Sequence, residues 1–195
     1  LISERHISVD DGHVAQAAKQ VALPGRAEIM PCDQRGHILF DCARTPQSAA
    51  ALATLIGELR PSSVTYVISI SYDTDLPDFL HNLNIQPNDS LYLTMYLGHY
   101  AAPLDVLQQA ARFVGLEPEI IPHYPEALDA ACARCTEDSL VVVTGSPTFV
   151  AQAREHLSLV DAEDQVEAEQ TRAILAGPGY YVRQYGEEDW LTGLR

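Results

Sequence analysis

The feature that most constrains this chain is the repeated alternation of short β-branched runs with helical stretches. Val64 to Ile70 is apolar and nearly continuous, as are Leu91-Tyr92-Leu93-Thr94-Met95 and Leu140-Val141-Val142-Val143. Such runs predict strands buried on both faces, because a strand with one wet face would alternate apolar and polar residues. Between them the spacing is helical over Pro46–Leu59, Leu76–Leu83, Pro103–Val114, Pro125–Ala133 and from Pro147 to His156, with Pro46 suited to a first helical turn. Two shorter strands are expected at Ala27–Met30 and His37–Asp41, split by the turn residues Asp33-Gln34-Arg35-Gly36, and a third at Glu119–Ile121. An alanine-rich helix precedes them over residues 12–22, stopped by Pro24-Gly25. Strands alternating with helices of this length predict an α/β fold with three layers: a mostly parallel sheet with helices on both faces.

That fold class carries a functional expectation. In parallel sheets ligands bind beyond the carboxyl ends of the strands. Three segments should therefore share one rim: Asp41-Cys42-Ala43-Arg44-Thr45, Ser71-Tyr72-Asp73-Thr74-Asp75 and Thr144-Gly145-Ser146. The last has the context of an anion site, since a glycine turn leads from a buried strand to a helix start with free N–H groups. Ser146 serves equally well as a plain helix cap, and both readings stay open.

Composition narrows the function further. At 195 residues the chain suits one full-size domain. Its 27 acids against 12 bases give a net charge of −15, which repels phosphate backbones and anionic lipid. General nucleic-acid binding and a membrane-surface role are therefore not expected. No apolar run approaches the roughly 18 residues of a membrane span. Four cysteines are too few for a disulfide scaffold, so a reducing, cytoplasmic setting is expected. Lys19 is the single lysine, and it follows Ala18 and precedes Gln20. A phosphate-binding P-loop needs Gly-Lys-Ser/Thr, so the chain does not hold ATP in that way by itself. The opening Leu1-Ile2-Ser3-Glu4, with no initiator methionine, leads to the expectation of a piece cut from a longer polypeptide, or of a processed or trimmed form.

Other constellations favour bland readings. Cys132-Ala133-Arg134-Cys135 has CxxC spacing but falls late in a helix and lacks a second ligand pair, so buried thiols are expected rather than a redox or zinc site. Cys42 follows a strand, but Ser48 stands where a phosphatase C-x5-R would need arginine. Asp73-Thr74-Asp75 resembles an aspartyl-phosphate loop, yet Pro77 occupies the position that loop gives to threonine or valine. The seven histidines are scattered and no metal cluster is indicated; His99, on a strand-end loop, is either a ligand contact or a surface residue. Beyond Val160 the composition turns acidic and then aromatic. The expected division is a domain over residues 1–160 and a C-terminal extension over 161–195, an acidic helix followed by a strand-like segment.

Taken in order, four motifs resemble the C-terminal domain of the Mur ligase superfamily, closest to its folylpolyglutamate synthase and dihydrofolate synthase branch. Leu23-Pro24-Gly25-Arg26-Ala27-Glu28 is similar to P-G-R-x-E, and Asp41-Cys42-Ala43-Arg44-Thr45-Pro46 to D-x-A-H-N/T-P. Asp73-Thr74-Asp75 sits where that branch often has D-K-D, and Leu140 to Ser146 resembles V-L-V-T-G-S. The resemblance covers residues 12–157. It implies a Rossmann-like domain that closes on a central P-loop ATPase domain, in cis and outside this chain. ATP and magnesium would be bound mainly there. The whole enzyme would make an acyl phosphate and then an amide with an incoming amino acid such as glutamate.

The resemblance places Arg26, Asp41, Arg44 and Thr45 towards the nucleotide, and Ser146 with Gly145 and Thr144 towards the amino acid. Asp73, Asp75 and His99 are further candidates, and no residue of this chain is expected to be catalytic on its own. Two positions depart from the family pattern: its histidine is Arg44 here, and its D-K-D lysine is Thr74. They leave a second reading open, a non-catalytic binding or scaffolding domain derived from such a ligase.

Overall fold

Runs of β-branched residues lose little side-chain freedom in an extended chain and pack well on a pleated surface, and they set the sheet here. The computed structural model describes residues 10–20, 23–32 and 36–159. Its elements, in order, are α1 (Asp11–Gln20), β1 (Glu28–Cys32), β2 (Gly36–Asp41), α2 (Pro46–Leu59), β3 (Ser63–Ile68), α3 (Leu76–Asn82), β4 (Ser90–Met95), α4 (Leu104–Phe113), β5 (Glu119–His123), α5 (Tyr124–Arg134), β6 (Ser139–Thr144) and α6 (Pro147–His156). The expected extension over 161–195 lies outside the described residues.

The six strands lie in the order β1-β2-β6-β3-β4-β5. β1 and β2 pair antiparallel, and every other neighbouring pair is parallel. The two edge strands, β1 and β5, each carry a proline (Pro31 and Pro122), which a central strand with both ladders in use would not accommodate. Strand alternation sends Leu39, Tyr66, Leu93 and Val142 into one core with α2, α3 and α4. The intervening Ile38, Phe40, Val67, Tyr92 and Val143 join α5 and α6 in the other. Layers of helix, sheet and helix follow, as the alternation predicts. Val67, Leu39 and Val143 are completely buried, and each such side chain contributes about 1.5–3 kcal/mol on leaving water.

The strand order creates a switch point. From β3 the chain moves outward through β4 and β5, then returns to place β6 on the other side of β3. The connections to β3, β4 and β5 run over one face and the return runs over the other, so the loops after β3 and β6 diverge and leave a crevice between them.

β3 is shorter than expected, ending at Ile68 rather than Ile70. The Ser69 N–H still donates to the Thr144 carbonyl of β6 at 3.3 Å, and its hydroxyl accepts the Tyr96 N–H at 2.8 Å. Thr45 caps α2 in a reciprocal box with Ser48, and Asp75 caps α3 by accepting the Asp78 N–H.

Candidate functional site at the carboxyl rim

The loop after β6 is shaped by Gly145, whose φ of +118° suits only glycine. A Cβ there would also lie 2.5 Å from the Ser69 carbonyl oxygen. This close approach lets Ser146 stand at the start of α6, where it is 2% exposed. Its hydroxyl makes no cap hydrogen bond to the helix N–H groups. Ser146 is thus the N-cap residue of α6 by position, without a side-chain cap bond. The Thr144 hydroxyl donates to the Ala43 carbonyl at 3.4 Å and ties the exits of β6 and β2 together.

The crevice is a cleft of about 490 Å³, lined on its polar side by Arg44, Ser71, Asp73, Tyr96, Tyr100 and Ser146. Four loops supply these groups: the three that the rim argument names, after β2, β3 and β6, and the loop after β4. Arg44 Nη2 donates to both carboxylate oxygens of Asp73, at 3.0 and 2.9 Å. The Ser71 and Tyr96 hydroxyls are hydrogen-bonded at 3.1 Å. Gln152 of α6 holds the loop after β4 from both sides, accepting the Leu97 N–H and donating to the Leu97 carbonyl. The cleft therefore combines one cation, one carboxylate, hydroxyls and a helix N-terminus, a donor-rich set suited to a small charged ligand.

A second group lies beside it at the exit of β2. Asp41 accepts the backbone N–H of Ala27 through one oxygen and that of Ala43 through the other, each at 2.9 Å. Ala27 has φ of +48°, a conformation that alanine adopts at a cost and that Asp41 helps to hold. Glu28 accepts the Gly25 N–H at 2.7 Å and the Arg154 Nη2 at 3.2 Å. Arg154 Nε also lies 2.9 Å from Glu28, but off the line of a hydrogen bond, so the contact there is ionic only. Arg26 is presented on this clasped loop, exposed and without a side-chain partner among the described residues. Burial pushes the Cys42 thiol up, partly offset by Arg26.

Of the candidates read from sequence, the cleft brings together Arg44, Asp73 and Ser146. Gly145 and Thr144 do not line it; they form the turn that leads from β6 to Ser146. Arg26 and Asp41 form the neighbouring clasp, while Thr45 and Asp75 have their side chains engaged as caps. His99 is exposed and does not line the cleft. Sequence reasoning placed Ser71 on the rim without giving it a role, and missed Tyr96, Tyr100 and Gln152. Only their position just after a buried strand, or on the helix beside it, marks them. Cys132 lies within α5 and Cys135 caps it, both buried and neither in a disulfide. Among the described residues no three acidic, histidine or cysteine side chains converge as a cation site, and no helix is long and apolar enough to cross a membrane.

The family model for the Mur ligase glutamate ligase domain matches residues 25–147, more than half of the chain. The chain belongs to this family. A curated relative, a probable bifunctional folylpolyglutamate synthase/dihydropteroate synthase of Halobacterium salinarum, is 26% identical over 168 residues, 86% of this chain and 20% of its own length. Among solved structures, Mycobacterium tuberculosis folylpolyglutamate synthase complexed with ADP and AMPPCP superposes with a TM-score of 0.67 at 25% identity, over 82% of this chain and 38% of that one. Escherichia coli FolC with ADP gives a TM-score of 0.66 at 22% identity, over 81% and 37%. This glutamate ligase domain thus spans well under half the length of the relatives it matches. The match begins at Gly25 and ends at Pro147, so it takes in both the clasped loop and the cleft.

Proposed function

We propose that this chain is the closing domain of a longer ATP-dependent ligase that joins a carboxylate to an amino acid, glutamate being the reference substrate. The observation that carries this reading is Ser146, a residue 2% exposed at the N-terminus of α6 whose side chain makes no cap hydrogen bond and which lines a cleft that also holds Arg44. The family and the nucleotide-bound relatives support it. In such a reaction a carboxylate oxygen attacks the terminal phosphorus of ATP, ADP leaves, and an acyl phosphate remains. The amine of the amino acid then attacks the acyl carbon. The C–O bond to phosphate breaks, phosphate departs with the electron pair, and the amine loses a proton to give the amide.

This domain's part is binding and alignment. Arg26, fixed by the Asp41 clasp, offers planar donors to the nucleotide. Thr45 stands at the start of α2, where the helix N-terminus favours phosphate oxygens. Ser146 and the amides of α6 seat the α-carboxylate of the amino acid, and holding two reactants in register lowers the barrier by removing their freedom to separate. Magnesium, as the usual partner of ATP, is assigned to the segments outside this chain, since among the described residues no three acidic, histidine or cysteine side chains converge.

The test is ADP release by the intact protein with ATP, a folate-type carboxylate and L-glutamate, with the product mass measured. A gain of one glutamate per ADP supports the ligase. Nucleotide binding without turnover, over a panel of acceptors, supports the scaffolding reading that Arg44 and Thr74 motivate.

A further inference from the structure

We propose, independently of the ligase reading, that Cys32 and Cys135 form a reversible redox site, closing to a disulfide when a small-molecule disulfide enters a cleft at the amino rim of the sheet. Three cysteines, Cys32, Cys132 and Cys135, gather where the β1–β2 hairpin meets the end of α5, all buried and none in a disulfide. Cys32 ends β1 directly opposite Gly36 in the antiparallel ladder. Gly36 in turn packs against the end of α5, where a Cβ on it would stand 2.6 Å from the Cys135 sulfur. The Cys32 thiol is within hydrogen-bonding reach of both Cys132 and Cys135. A cleft of about 730 Å³ opens at this place, lined by Gly36, His37, Arg134 and Cys135 among others, and Cys135 is the one thiol on its wall. By this route a small reagent meets Cys135 first.

Cys132 and Cys135 make the CxxC pair, but α5 keeps them apart. The φ of Cys135's neighbours and its own φ of −64° leave its Cβ on the helical course, and residues three apart on a helix hold their Cβ atoms about 5–6 Å apart. A disulfide needs about 3.5–4.5 Å. Bridging the two would unwind the last turn and break the Cys135 N–H bond to the Cys132 carbonyl at 3.1 Å. Cys32 comes from a separate element and is not bound by that spacing. In the exchange, Cys135 gives up its proton and attacks one sulfur of the small disulfide, whose S–S bond breaks, and one small thiol leaves. Cys32 then gives up its proton and attacks the Cys135 sulfur of the mixed disulfide, and the second small thiol leaves. Two protein thiols are oxidised, the small disulfide is reduced to two thiols, and excess small thiol reverses both steps. Burial and the neighbouring thiols hold the Cys32 proton far above the ordinary 9.0, so the second step is slow at neutral pH and quickens in alkali. The product ties the edge hairpin, whose first residue is Glu28, to the helix layer.

The experiment incubates the intact protein with 2-hydroxyethyl disulfide at pH 7 and pH 9 and follows its mass and its digested peptides. The expected product has lost two hydrogens, carries Cys32 and Cys135 in one linked pair of peptides, and forms faster at pH 9. Its denaturant midpoint should rise, since closing a loop of about a hundred residues constrains the unfolded chain, and dithiothreitol should restore the starting value. Cys132→Ala should still close. Cys32→Ala should stop at the mixed disulfide on Cys135, and Cys135→Ala should leave both remaining thiols of the cluster reduced. Circular dichroism checks that each variant folds; where one does not, the peptide map of the wild type and of Cys132→Ala decides. A disulfide between Cys132 and Cys135, a wild-type protein that stops at the mixed disulfide, or three thiols still reduced in the folded protein at pH 9 would each overturn the proposal.

Discussion

Gly145 packs against the Ser69 carbonyl so closely that any Cβ would meet it at 2.5 Å. That contact brings the exit of β6 beside the exit of β3, and the cleft opens between the loops that follow. Gly145→Ala adds the Cβ in a backbone conformation, φ of +118°, that L-residues rarely adopt. The expected destabilisation is about 2–4 kcal/mol, read from chemical denaturation, with weaker amino-acid binding in the protein that remains folded.

Asp41 acts first on the backbone. Replacing it by alanine removes the acceptors of the Ala27 and Ala43 N–H groups, and a lost pair of charge-assisted bonds costs about 2–4 kcal/mol. Amide hydrogen exchange at Ala27 and Ala43 should quicken more than exchange in β3 or β6. Unchanged exchange at both amides would show that the loop holds itself.

Glu28 and Arg154 join β1 to α6 across 126 positions, with side chains only 18% and 20% exposed. Glu28→Ala leaves a largely buried guanidinium without its anion and should cost about 2–4 kcal/mol. The double variant Glu28→Ala/Arg154→Met should recover part of that loss in a double-mutant cycle. Simple additivity would mean the two side chains do not interact.

Stability should fall in alkali. Burial raises the Cys42 thiol and, with neighbouring Cys132 and Cys135, raises Cys32 far above the ordinary 9.0; burial also raises Tyr66 above its ordinary 10.0. Above those ordinary values the unfolded chain loses protons that the folded chain keeps, so stability is full below pH 9 and declines as pH rises. Each group adds a slope of up to about 1.4 kcal/mol per pH unit. Denaturant midpoints between pH 7 and 10.5 check this, and a Cys32→Ala variant should show a shallower decline.

The alternation of elements was legible because buried parallel strands leave unbroken apolar runs and the helices between them carry proline near their starts. The rim was legible for the same reason, since parallel strands all end on one side. Strand order was not: nothing in Leu140–Thr144 says that it inserts between β2 and β3, because the crossover depends on which faces the helices cover. Thr45 and Asp75 carried cap signals, each followed within two residues by proline, and cap geometry accounts for their placement. The Arg44–Asp73 and Glu28–Arg154 pairs were invisible, since each joins residues far apart along the chain and depends on the tertiary fold. Gln152 lacked any local signal, being one polar residue on a surface helix until β4 places Leu97 beside it.

The central claim is that the carboxyl-rim cleft seats the amino acid, and Ser146 tests it most directly. In the intact protein, Ser146→Ala should raise KM for L-glutamate by about tenfold, the loss of one hydrogen bond to a charged group, with KM for ATP unchanged. An unchanged KM for glutamate, or a rise confined to ATP, would contradict the account and move the amino-acid site away from this rim.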